Sequence, residues 1–218
     1  MFLAWITARR PSAQLSSRRR ALARQARALR TYDRVLDAAA NEFAQNGYAR
    51  TNLQNVADRT GLTKGAVYGH FSSKEELAAV IVAHLDSVTD DLLGSVREST
   101  VPAFDRLRRL ILSLAELFER DMRVRAALRL ALETAQADAK PPQILDEVQG
   151  RTRALVDEMR NEGCLDPSLP AGAVADLVTA AVFGTHYTAT ACGQENLSGR
   201  VHAMWEVLTR TVITSGSR

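Results

Sequence analysis

The chain predicts an all-α protein in two parts, a small N-terminal head of three helices and a larger helical body. Three observations carry that prediction. Apolar residues recur at spacings of three and four along most of the chain, no stretch alternates apolar and polar residues as a half-buried strand would, and the charge divides unevenly between the two parts. With 218 residues and 46% hydrophobic content, the chain can bury one small core and one larger one. Net charge is only +3, yet residues 1–82 hold 13 Lys and Arg against 6 Asp and Glu, leaving 15 against 19 for the rest. Basic character therefore belongs to the head, as expected of a part that meets a polyanion.

Taken in order, residues 1–30 contain Pro11, a Ser-rich patch from Ser12 to Ser17, and Arg18, Arg19, Arg20, Arg24, Arg27 and Arg30. They predict a mobile basic arm whose later part, Ala21 to Arg30, has the helix formers to extend the first helix. That helix is expected from about Thr31 to Asn46, with Leu36, Ala40 and Phe43 on one face and Gly47 ending it. Thr51 and Asn52 can cap a second helix that turns Leu53, Val56 and Ala57 inward. Gly61 supplies a left-handed turn, and Thr63 caps a third helix with Lys64, Gly65 and Tyr68 in its first turns and Val67 and Phe71 facing the core. Ser73 and Glu76 form a capping box that starts a fourth helix, with Lys74 in its first turn.

Two short helices hinged at a glycine, the second opening on polar side chains, make a helix-turn-helix, the unit that lays its second helix in the DNA major groove. Residue chemistry assigns the roles. Lys64 can reach a phosphate or a guanine edge, Tyr68 and His70 can donate to phosphate oxygens, Thr63 can anchor backbone or base, and Gly65 lets the backbone approach a sugar-phosphate strand. Lys74 lies beside the phosphate path. The expected domains are a basic arm over 1–30, a DNA-binding head over 31–76 and a body over 77–218.

Breaks at 94–102, 120–122, 139–142, 162–170 and 193–199 divide the body into six helices. Leu107, Leu110, Ile111, Leu114, Leu117 and Phe118 give one of them a wide apolar face, and Leu128, Leu132, Leu155, Val156 and Met159 continue inward stripes on others. A ligand pocket between body helices would be lined by Leu110, Leu114, Phe118, Met159, Val182, Phe183 and His186. The last two helices, about 170–191 and 197–214, combine the small residues Ala175, Ala181, Gly184 and Thr188 with Val178, Trp205, Leu208 and Val212, a composition that lets helices approach closely.

Other function classes find no support. The chain has no HExxH, GxSxG, phosphate-binding glycine loop or GxGxxG, and His70, His84, His186 and His202 form no metal-ligand spacing, so neither an enzyme nor a metal or cofactor site is expected. Cys164 and Cys192 show no CxxC pattern, which fits a reducing cytoplasm, and Cys192 is expected to pack in its small-residue helix. Residues 1–8 are apolar but too few for a secretory core, and Asp176 and His186 make residues 171–193 a poor membrane span. A ligand-independent architectural DNA binder using the arginine arm is the main rival.

Gly47-Tyr48, Thr51, Val56-Ala57, Gly61-Leu62-Thr63-Lys64-Gly65-Ala66-Val67-Tyr68, His70-Phe71 and Lys74-Glu75-Glu76-Leu77 resemble the signature of the tetracycline-repressor (TetR) family. The resemblance covers about residues 31–80. It implies a homodimeric transcriptional repressor that binds a palindromic double-stranded DNA operator and releases it when a small molecule occupies the body. Carried onto this chain it makes Thr51, Thr63, Lys64, Gly65, Tyr68, His70 and Lys74 the DNA-facing set. It also implies dimerisation through a four-helix bundle of the last two helices, with Ala175, Val178, Ala181, Trp205, Leu208 and Val212 at the interface. Gly69 stands where many members carry an aromatic residue.

Within that family the body resembles the γ-butyrolactone receptors through Val124-Arg125-Ala126-Ala127-Leu128-Arg129-Leu130-Ala131, Pro141-Pro142, Val182-Phe183-Gly184-Thr185 and Met204-Trp205. This implies a small hydrophobic inducer and control of secondary metabolism. The pocket tryptophan expected after the paired prolines is Gly150 here, which keeps open a pseudo-receptor answering an antibiotic or an intermediate.

Overall fold

The computed structural model describes the backbone of residues 11–193 and 196–212, and the side chains of 18–193 and 196–210. Within these residues the regular elements are all helices: α1 (Pro11–Arg50), α2 (Leu53–Thr60), α3 (Lys64–Tyr68), α4 (Lys74–Glu98), α5 (Ala103–Arg120), α6 (Met122–Asp138), α7 (Gln143–Asn161), α8 (Ala171–Cys192) and α9 (Leu197–Val212). The six body helices expected from the sequence are α4 to α9. Residues 1–10, Ile213 and Thr214, with the side chains of residues 12–17 and of Val212, lie outside the described residues.

The arm and the first helix are not separate elements in the part described. From Pro11 onward the arginine-rich stretch forms the opening turns of α1, because Ala21, Leu22, Ala23, Ala26, Ala28 and Leu29 sit among arginines with no glycine or proline to break the helix. Its arginines from Arg18 to Arg30 are exposed. Gly47 does interrupt the helix, at φ 72° and ψ −179°, a conformation open essentially to glycine alone. Gly94, expected near the end of α4, lies inside it, and the helix runs on to Glu98.

Caps set the boundaries of the head. The Asn52 side chain accepts from the Asn55 amide, Thr63 from Ala66 and Ser73 from Glu76. Gly61 closes α2 in the left-handed region. Val35, Leu36, Ala39 and Phe43 of α1 share the head core with Leu53, Val56, Val67 and Phe71. In the body, Leu107, Leu110, Leu114 and Phe118 of α5 are buried, as are Val148, Leu155 and Val156 of α7 and Val178 and Val182 of α8.

Head and body join along α6, whose longest contact is with α1. Glu133 on α6 accepts from the Tyr48 amide at 2.8 Å and from Arg129 Nε at 3.0 Å, while Arg129 also donates to the Ala44 carbonyl at 2.8 Å. Lys74 Nζ donates to the Tyr48 carbonyl at 3.0 Å and lies 4.2 Å from the Tyr48 ring centroid. The Tyr48 hydroxyl donates to Glu75. One residue thus links the end of α1, the last turns of α6 and the first turn of α4.

Candidate nucleic-acid interface and ligand core

A concavity of about 430 Å³ opens between the start of α2, the face of α3 and the start of α4, lined by residues that include Thr51, Asn52, Lys64, Tyr68, Ser73 and Lys74. It brings together four residues expected to face DNA: Thr51, Lys64, Tyr68 and Lys74. Lys64 and Tyr68 are exposed, with the lysine Nζ 5.7 Å from the tyrosine ring centroid, and Thr63 and Gly65 are exposed beside them at the head of α3. Exposure of a large aromatic ring next to a lysine on a short helix suits a surface that a partner covers. An added Cβ at Gly65 would meet open space, so the small residue answers no packing need within the chain.

Three residues of that set are held within the fold, Lys74 by the Tyr48 carbonyl and ring and Thr51 and His70 by other contacts. Thr51 is buried, and its hydroxyl donates to the Gly47 carbonyl at 2.8 Å, closing the α1–α2 corner. His70, two residues past the end of α3, is partly buried and edge-on to Tyr32 at 6.3 Å, while Tyr32 stacks on Phe71 at 4.8 Å. The arginine-bearing turns of α1 lead into this same cluster, since Arg34 donates to the Thr60 carbonyl at 2.7 Å.

In the body the seven residues expected to line a pocket do converge in part. Phe118 packs against Phe183 at 5.6 Å and against His186 at 5.0 Å between ring centroids, and Leu110, Leu114, Met159 and Val182 are buried in the same core. Burial, and then the charge of Arg125, pushes His186 down to about 4, so its ring is neutral near neutral pH. Arg125 was not among the expected pocket residues. Its signal in the sequence was a basic residue set among Val124, Ala126, Ala127 and Leu128, four buried positions.

The expected interface residues divide. Ala175, Val178 and Trp205 are buried within the protomer, Trp205 against Phe104 of α5 at 5.4 Å, while Ala181 and Leu208 are partly buried. Both helices are apolar on more than one side, so small-residue spacing does not say which side turns inward. The outward side carries Leu177, Tyr187 and Val207, which are 54%, 68% and 65% exposed, with exposed Gly184 and Met204 between them. Cys192 is exposed rather than packed, and both cysteines are free. His84 pairs with Asp121 at 2.9 Å, tying α4 to the residue whose carboxylate caps α6. No described helix is long and apolar enough to cross a membrane.

These features have close counterparts. Residues 35–81 match the model of the bacterial regulatory proteins of the tetR family. The chain is 27% identical over 197 residues to the A-factor receptor protein of Streptomyces griseus, spanning 89% of this chain and 68% of that one. Its fold is similar to a crystal structure of a γ-butyrolactone receptor (ArpA-like protein), at 25% identity and a TM-score of 0.72 over 87% of this chain and 91% of the other. It is also similar to TylP, a TetR regulator from Streptomyces fradiae, at 31% identity and a TM-score of 0.58 over 87% of this chain and 89% of that one. The chain belongs to the TetR family of bacterial regulatory proteins, and it is similar to γ-butyrolactone receptors within it.

Proposed function

We propose that the protein is a transcriptional repressor that binds a palindromic operator as a homodimer and leaves it when a small hydrophobic signal, a γ-butyrolactone or related molecule, enters the body. The concavity that gathers Thr51, Lys64, Tyr68 and Lys74 at the mouth of α3 carries this reading, because it sets two cations and an exposed phenol where phosphates and base edges would lie. Thr63, Gly65 and His70 complete the DNA-facing set, Gly65 by close backbone approach. The outward stripe of Leu177, Gly184, Tyr187 and Val207 is the face that a second copy covers, with Ala181 at its edge. Paired heads then address half-sites about 34–36 Å apart.

Gly150 favours a second reading. It stands where the resemblance expects a pocket tryptophan, which makes a pseudo-receptor for an antibiotic or an intermediate the alternative, although the position itself is exposed on α7. Footprinting on the DNA upstream of the chain's own gene tests the repressor directly. A protected palindrome is expected, with Lys64→Ala and Tyr68→Ala each weakening it by about tenfold. Undiminished binding by both variants would place the recognition surface elsewhere, and salt-sensitive binding without a preferred footprint would favour the architectural rival.

A further inference from the structure

The body core contains polar groups that the fold leaves without partners. Among the described residues three buried side-chain atoms have none: Arg125 Nε on α6, Thr89 Oγ1 on α4 and Thr152 Oγ1 on α7. His186 on α8 is also buried, packed on Phe118, and makes no hydrogen bond to a described residue. The nearby carboxylates along α5 and α6 are engaged elsewhere. Asp121 pairs with His84 and caps α6, Glu119 accepts from Ser198, and Glu133 serves Arg129 and Tyr48.

Arginine keeps its charge in every protein environment. The Arg125 Nε–H, shut off from water with no acceptor, is therefore a cost that an arriving acceptor removes, and an anion removes it best because the guanidinium fork donates two parallel bonds to a carboxylate. His186 cannot supply that anion, since a neutral imidazole offers one donor and one acceptor. It can add a single N–H to a carboxylate already held by the arginine. Phe118 and Phe183 then offer an alkyl chain an apolar wall.

We propose that Arg125 binds an acidic group on the body's ligand, an alkyl carboxylate seated between the guanidinium and the His186 ring with its chain along Phe118 and Phe183. The proposal rests on the small-molecule-responsive reading above and names the ligand's chemical class. It also supplies a route to the head. Arg129 and Glu133 follow Arg125 by one and two turns on the same side of α6, and they hold Ala44 and Tyr48 at the end of α1. A ligand that draws Arg125 toward α8 works directly on the helix that grips the DNA-binding head.

The experiment compares 4-hydroxydecanoate with γ-decalactone, the same carbon skeleton with and without the anion, by calorimetric titration of the full-length dimer at neutral pH. The carboxylate is expected to bind at least about tenfold more tightly, and Arg125→Gln to bring the two within about twofold while Arg125→Lys retains part of the preference. Equal or tighter binding of the lactone, binding of neither compound, or a preference that survives Arg125→Gln would each overturn the assignment. Should the glutamine variant fail to fold, the wild-type comparison of the two probes still decides. Footprinting of the ligand-free wild type separates the two levels: an intact footprint with no carboxylate preference removes only the acid assignment, whereas no footprint removes the repressor reading itself.

Discussion

The head satisfies each of its buried polar side chains among the described residues, whereas the body satisfies Thr179 and Thr185 through backbone carbonyls and leaves others without a partner. In the head, Glu42 is almost wholly buried, yet it accepts from Arg59, Asn46 and Asn55, and the hydroxyls of Thr51 and Thr60 donate to backbone carbonyls. Burial raises the Glu42 carboxyl, but those hydrogen bonds outweigh it and hold the group below the usual carboxylate range. In the body, Arg125, Thr89 and Thr152 each bury an atom that no described residue satisfies. A fully satisfied network specifies one arrangement, whereas orphaned groups leave a core with free energy to gain from a partner or a rearrangement. This difference suits a rigid reader of DNA attached to a core that answers a ligand.

The comparison breaks most severely at Gly47, where the two regions meet. A Cβ there would collide with Glu133 Oε1, and the backbone conformation is one that an L-residue resists. Glu133 could swing away only by giving up the Tyr48 amide or Arg129. Gly47→Ala is therefore expected to destabilise the protein by about 4 kcal/mol, combining backbone strain with a lost charge-assisted hydrogen bond. Denaturant unfolding measures it. A loss under about 1 kcal/mol would mean that the α1–α6 junction is pliable rather than locked.

A smaller effect separates the regions by pH. His186 is held near 4, mainly by burial, against an unfolded value near 6.5. Between those values the unfolded chain binds the proton and the native chain does not, so stability falls as pH drops from about 6.5 toward 4. The expected loss is on the order of 3 kcal/mol across that window. His186→Leu should flatten this part of the stability curve relative to wild type, while the acid loss from Glu42 persists at lower pH, as its depressed carboxyl is protonated. An unchanged slope in the leucine variant would show that water reaches the imidazole.

How much of this was legible in the sequence follows the range of each interaction. Asn52, Thr63, Ser73 and Gly61 act on groups within four residues, so the head's helix ends could be placed from local chemistry. Capping was slightly different in detail: Glu76 returns to the Ser72 amide rather than to Ser73. Glu133 and Tyr48 are 85 positions apart, and no local pattern announces their bond. On α8 the composition itself hid the answer. Ala175 and Val178 face inward, while Leu177 and Gly184 face outward, and both sets read as apolar or small. Arg125 was obscured for a related reason, since it and Arg129 repeat at helical spacing like an ordinary solvated face, although the Arg129 Nε finds a partner among the described residues and the Arg125 Nε does not.

The finest test of the contrast uses the same substitution on each side of it. Thr152 is fully buried on α7 with an unpartnered hydroxyl, and valine has the same shape without the polar atom. Thr152→Val should raise stability by about 1 kcal/mol, because it removes a desolvated group and forfeits no hydrogen bond. Thr51 is equally buried, but its hydroxyl donates to the Gly47 carbonyl, so Thr51→Val should cost about 1 kcal/mol. Opposite signs, measured by denaturant midpoint at constant slope, are what a satisfied head and an unsatisfied body require. Matching losses at both positions would mean that the Thr152 hydroxyl has a partner in solution, and the body would then hold less of the unspent polar capacity on which the proposed ligand capture depends.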